Sequence, residues 1–277
     1  MVVTEIVSTV SGPAPEQGGV ALPDAGSIVV PQPPPVTPPV APGSGGAGAD
    51  LEAVVGSVSG TAGIAVAPVG GAGEVRSAGT WQTGVAWSTI KVPLAVAVAR
   101  IDPQALEGAT AAITVSDNRS AEILWNALGG GDAAAAAVGA VLTEGGDATS
   151  QVPSVRTRDG FSVFGQTRWA LIDQARFGSR LPCLGSSARV VDLMGQVSSD
   201  QRWGLGRIAG ARFKGGWGPG ESGGYLVRQF GLVPGAGGDV TVAIAIEAPT
   251  FEAGTAALST MADALAPRLA SIPGGNC

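Results

Sequence analysis

Residues 111–130 read AAITVSDNRSAEILWNALGG. A mostly apolar run reaches Val115, the polar triplet Ser116-Asp117-Asn118 follows, and apolar residues then recur at helical spacing as far as Leu128, where Gly129-Gly130 ends the pattern. The spacing predicts an amphipathic helix over residues 116–128 opened by a good cap, because Ser, Asp and Asn side chains accept from the unpaired amides of a first helical turn. Taken alone, this is ordinary capping chemistry. Its meaning depends on two short patterns that flank it, each containing a lysine. The chain has only two lysines, against fourteen arginines, and no histidine.

The upstream pattern is Ser88-Thr89-Ile90-Lys91. Residues 88–101 (STIKVPLAVAVARI) read as an apolar helix with Pro93 in its first turns, where proline is tolerated. Serine and lysine at i and i+3 lie on one face, with Ser88 at the N-terminus, where free amides and the helix dipole favour developing negative charge. An amine among Val92, Leu94 and Val96 loses charge stabilisation and becomes able to accept a serine proton. The plainer alternative is a capping serine followed by a solvated lysine. The downstream pattern is Lys214-Gly215-Gly216-Trp217 at the end of a predicted strand. Its lysine is placed to meet a substrate carboxylate, and its glycines let a ligand backbone lie alongside as an added strand; the alternative is a β-turn. Arginine keeps its proton whereas a buried lysine can lose one, so lysines at these two places point to titratable amines. Without histidine, Ser-His-Asp and Cys-His mechanisms are excluded.

The element order also bears on the fold. Helical spacing covers residues 50–58, with Asp50 as a cap, and two short strands follow over residues 61–68 and 73–78. A helical middle comes next, with helices at 116–128, 132–142, 166–177 and 186–197 and a loop over 144–165. Strands ending at Phe213–Gly216 and covering residues 224–233 and 239–247 precede a closing helix over residues 251–270. This order implies an α/β architecture: an antiparallel sheet flanked by helices, with a small inserted all-helical lobe at about residues 102–200.

Together and in this order, the three motifs resemble the signature of the penicillin-recognising serine hydrolases, the class A β-lactamases and DD-peptidases: S-x-x-K, S-D-N, K-[ST]-G. Residues 111–130 are similar to the class A segment around its second motif, and the resemblance covers roughly residues 50–272. It implies that Ser88 is the acyl-accepting nucleophile, that Lys91 activates it, and that Ser116 relays the proton to the leaving nitrogen. It further implies that Asn118 binds the substrate amide, that a charged Lys214 supports Ser116 and the substrate carboxylate, and that the amides of Ser88 and Trp217 form an oxyanion hole beside Gly216. Three departures stand out. Gly215 replaces the Ser or Thr that grips the carboxylate. Ser88 and Ser116 are closer in sequence than in class A enzymes, so one cleft wall is expected to be open. Residues 153–158 (PSVRTR) contain no counterpart of the glutamate that activates the deacylating water, so an acyl-enzyme should hydrolyse slowly.

The remaining expectations are coarser. Residues 1–48, rich in Pro and Gly, read as an extended spacer or plain disordered tail, leaving 49–277 as the hydrolase-like domain. A net charge of −6 without basic runs argues against nucleic-acid binding, and no apolar stretch is long enough for a membrane span. Residues 1–10 carry Glu5 and no basic start, so they do not read as a signal peptide. A Cys183–Cys277 disulfide, contributing about 4–5 kcal/mol in the chain-entropy picture, would suit an exported protein; the alternative is two unrelated thiols. Arg228 is a candidate substitute for the missing carboxylate-binding hydroxyl, or else a solvated strand arginine. Trp81, Trp87 and Trp217 are candidates for a cleft lining or for the core. No metal or other cofactor is implied, and a monomer is expected. The function anticipated is an exported serine acyl-hydrolase acting on peptidoglycan stem peptide or β-lactam amides. The alternative is a weak or inactive domain that binds wall peptide or a protein partner.

Overall fold

The structure, a computed structural model, describes residues 45–71, 73–221 and 223–277. The expected spacer therefore lies outside the described residues as far as position 44. Positions 45–48 belong instead to the first helix, α1 (Gly45–Val55), so Asp50 sits within that helix and does not cap it.

Five antiparallel strands form the main sheet in the order β2-β1-β7-β6-β5, where β1 is Ala62–Pro68, β2 Arg76–Gly79, β5 Arg212–Pro219, β6 Tyr225–Gly235 and β7 Gly238–Ala248. The expected antiparallel sheet with flanking helices is present. Strand β7 shows why both faces are covered. Its Val242, Ile244 and Ile246 alternate with Ala243 and Ala245, so successive side chains point to opposite faces. The large residues pack with Leu51 and Val54 of α1 and with Leu258, Met261 and Leu265 of the closing helix α8 (Phe251–Leu265). The alanines face the other core, where α6 (Leu171–Arg180) approaches closely enough that a Cβ on Gly178 would lie 2.2 Å from Thr241 Oγ1.

That second core contains α2 (Lys91–Ile101), in which every residue from Lys91 to Ala99 is buried, as an all-round apolar helix requires. Around it lie α3 (Leu106–Thr114), α4 (Asn118–Ala127), α5 (Gly131–Glu144) and α7 (Ala188–Met194). A small sheet pairs β3 (Thr83–Val85) with β4 (Arg168–Ala170). The predicted helix over 166–177 is thus shortened from its start: residues 168–170 pair with β3, and α6 begins at Leu171. The closing helix is also shorter than predicted, because Pro267 follows α8 and the chain tightens into a 3-10 turn over Ala266–Ser271. Helix α3 was not anticipated; LEGATAAIT carries Gly108 and mixed polarity.

Cys183 and Cys277 form a disulfide across a sequence separation of 94. It fastens a C-terminal segment whose Gly275 exchanges two 2.9 Å backbone hydrogen bonds with Asp239 at the start of β7. Replacing both cysteines with serine should lower stability to urea by about 4 kcal/mol through release of the long loop. An unchanged unfolding midpoint would show that the bond constrains nothing.

Candidate active site

Ser88 lies in a 3-10 turn, Trp87–Ile90, that runs directly into α2. The α-helix proper starts three residues later than predicted, yet Ser88 and Lys91 still share a face because residues i and i+3 eclipse in a 3-10 turn. Trp87 has φ 51, a region that a bulky residue rarely occupies. Thr89 secures the turn: its Oγ1 donates to Ala86 O at 2.6 Å and accepts from Gln174 Nε2 at 3.0 Å. Strand β5 crosses the turn in contact. A Cβ on Gly216 would lie 2.8 Å from Ala86 O and 2.9 Å from Ser88 N, so only glycine lets the strand pass here. Lys214 and Gly216 sit inside β5, not at its end as predicted, and Trp217 follows on the same strand, opposite Val227.

Both lysines converge on Ser116. Lys91 Nζ donates to Ser116 O at 2.6 Å and to Asn118 Oδ1 at 2.8 Å. Lys214 Nζ donates to Ser116 Oγ at 2.8 Å and to Gly215 O at 2.9 Å. Ser116 itself has φ 60, a second strained residue at the site. The helix cap is its neighbour: Asp117 Oδ1 accepts from Ser120 N at 2.6 Å, and hydrogen bonds from Ser120 hold the Asp117 carboxyl below its usual range. Burial lowers Lys91 to about 8, against the opposing pull of Asp117 and Glu122. Burial, reinforced by the Lys91 charge, pushes Lys214 well below the ordinary lysine range. Lys214, expected to support Ser116, is wholly buried and donates to the Ser116 hydroxyl and to the Gly215 carbonyl.

Ser88 opens onto a cleft of about 440 Å³ lined by Asn118, Trp87 and Trp217 among others. The sequence reading did not single out Glu122, Arg156, Phe161 and Tyr225, which line it as well. Residues 157–166 are organised around the buried amide of Gln166, whose Oε1 accepts from Thr157 N, Thr157 Oγ1 and Arg158 N and whose Nε2 donates to Arg158 O, Phe161 O and Ser162 O. Arg158 then ties this loop to β5 by donating to Pro219 O at 3.0 Å, with its guanidinium 4.8 Å from the Phe161 ring and 5.6 Å from that of Trp87. The segment 153–158, which lacks an acid, contributes Arg156 to the cleft. Among the described residues no cluster of Cys, Asp or Glu is placed to hold a metal ion.

Arg228 is not a cleft residue, which corrects the substrate-binding expectation. It is wholly buried and donates to Gly84 O (3.1 Å), Val85 O (3.2 Å), Trp169 O (3.0 Å) and Gln174 Oε1 (2.8 Å), below the Trp81 ring. Burial pulls the guanidinium down to about 9, which leaves it cationic at neutral pH. Arg228 thus clamps β3 and β4 to the main sheet and reaches the Ser88 turn through Gln174 and Thr89. Trp81 lines a separate cavity of about 390 Å³ beside β2. At Gly215 a Cβ would meet the Trp203 indole at 3.2 Å and that of Trp217 at 3.6 Å, so these rings fill the space a side chain would need.

No protein-family model matches the chain, and no curated protein does. Solved structures match it as a fold. The ancestral (GNCA) class A β-lactamase is 20% identical, with 79% of this chain and 98% of that one covered and a TM-score of 0.60. A β-lactamase from Sphaerobacter thermophilus is 21% identical, with 83% and 98% covered and a TM-score of 0.60. The structure of PBP-A is 19% identical, with 83% and 97% covered and a TM-score of 0.61. The fold is therefore that of the penicillin-recognising serine hydrolases.

Arg228→Met should cost about 3–5 kcal/mol in urea denaturation, because four buried acceptors lose their donor at once. A wild-type midpoint in that variant would show that the clamp is not structural.

Proposed function

We propose that the protein is an exported serine acyl-hydrolase that forms an acyl-enzyme at Ser88 with peptide-like or β-lactam amides. Peptidoglycan stem peptides are its most suitable natural substrates, and it works as a monomer without a cofactor. The observation that carries this reading is the convergence of two buried amines on Ser116 beside the half-buried Ser88, which lines the cleft. An amine near pKa 8 is partly neutral at physiological pH and can take the Ser88 proton as Oγ attacks the carbonyl carbon. The amides of Ser88 and Trp217 are the donors for the oxyanion. Ser116 accepts from Lys214, which leaves its own O–H free to protonate the leaving nitrogen. Deacylation is slow, since the loop supplies Arg156 where relatives supply an acid. The disulfide and the fold support export.

A second reading keeps the cleft and drops the turnover: a module that binds wall peptide or a protein partner. Gly215, with its lost hydroxyl, favours it.

Intact mass after incubation with a labelled penicillin separates the two. The first reading expects an adduct on the wild type and none on Ser88→Ala. No wild-type adduct at millimolar ligand would leave the binding module, and rapid loss of a chromogenic cephalosporin would contradict slow deacylation. Lys91→Arg retains charge without a titratable amine, so acylation should collapse; if it persists, Lys91 is not the base. In the wild type the acylation rate should climb about tenfold per pH unit towards about 8 and then level off, because the base is the deprotonated amine. A flat profile between pH 6 and 9 would remove Lys91 from that role.

A further inference from the structure

The cleft contains a carboxylate with no assigned task. Glu122 is the one acid among the described residues that line it, and Ser88 lines the same cleft. It stands four residues after Asn118 on α4, so the two project from one face of the helix a turn apart. Asn118 accepts from Lys91 Nζ at 2.8 Å, and the Glu122 charge is felt at that amine. Among the described residues Glu122 forms no ion pair, although Arg156 lines the same cleft and Lys91 lies behind it. A half-buried carboxylate in the same cleft as Ser88, without an ion pair among the described residues, is equipped to handle a water molecule.

We propose that Glu122 is the general base for hydrolysis of the acyl-enzyme, an assignment that rests on the acyl-enzyme reading above. Water attacks the ester carbonyl carbon while the Glu122 carboxylate takes one of its protons. The carbonyl electron pair moves onto oxygen, facing the Ser88 and Trp217 amides. The tetrahedral centre collapses, the bond from carbonyl carbon to Ser88 Oγ breaks, and Oγ recovers a proton that Glu122 returns through Lys91. The products are free enzyme and the carboxylic acid. Glu122 projects from a helix, not from the 144–165 loop, and shares the cleft with the Arg156 cation. It sustains what hydrolysis there is and does not make the enzyme fast.

The test uses the full chain and a fluorescent penicillin, comparing wild type with Glu122→Gln, a change that preserves shape and removes the base. The variant should still take up one label per chain at saturating penicillin, and a cooperative urea transition shows that it folds. Adduct half-life should lengthen about 100-fold, within the range for loss of a general base. Hydroxylamine, which attacks without such help, should release the label equally fast from both proteins. Equal half-lives in water would overturn the assignment while leaving the acyl-enzyme intact. A slower hydroxylamine release from the variant would overturn it too, as a purely structural effect. A wild type that never acylates would overturn the acyl-enzyme reading and Glu122 with it.

Discussion

Ser116 is held from two sides by buried amines, Lys91 on its carbonyl and Lys214 on its hydroxyl. Removing an ammonium from water costs several kcal/mol unless hydrogen bonds replace the lost hydration. Among the described residues neither lysine finds a carboxylate at hydrogen-bonding distance, so each depends on an oxygen of Ser116 that another segment brings to it. That need joins three parts of the chain: the start of α2, the turn before α4, and the middle of β5. The left-handed backbone at Ser116 lets one residue serve both amines, which makes its strain part of the arrangement.

The same contacts set the chemistry. Lys91 is lowered mainly by burial and drawn back by Asp117 and Glu122, which leaves it near neutrality. Lys214 is lowered as well, by burial first and by the Lys91 charge second. The two amines bear on one residue, Lys91 on its carbonyl and Lys214 on its hydroxyl, so a proton leaving either is felt at Ser116. Gly216 keeps β5 within van der Waals distance of the Ser88 turn. Arg228 supports that turn from behind, through Gln174 and Thr89, without reaching the cleft.

The capping triplet, the serine–lysine pair and the lysine–glycine pair were legible because each is a local pattern with a local physical reason. So were the alternating β7 and the all-apolar α2. Arg228 was misread because its neighbours along the strand, Val227 and Gln229, say nothing of the carbonyls of Gly84, Val85 and Trp169 that surround it. The start of α6 was misplaced because β3 recruits residues 168–170 into a ladder that helix propensity does not register. Glu122 looked like one more polar residue on an amphipathic helix; only the packing of α4 decides which polar face borders the cleft.

The available chemistry follows from the chain alone: no histidine, two lysines, and serines at spacings that a helix or a turn converts into shared faces. So does the sheet-and-helix architecture, because hydrophobic period and glycine or proline stops are properties of the chain alone. Packing sets which charged groups are buried, which amine meets which oxygen, and that Trp203 fills the space at Gly215 while Gly216 lets β5 pass the Ser88 turn. Those outcomes depend on desolvation and close contact between residues far apart in the chain, and neither quantity exists until the segments have packed.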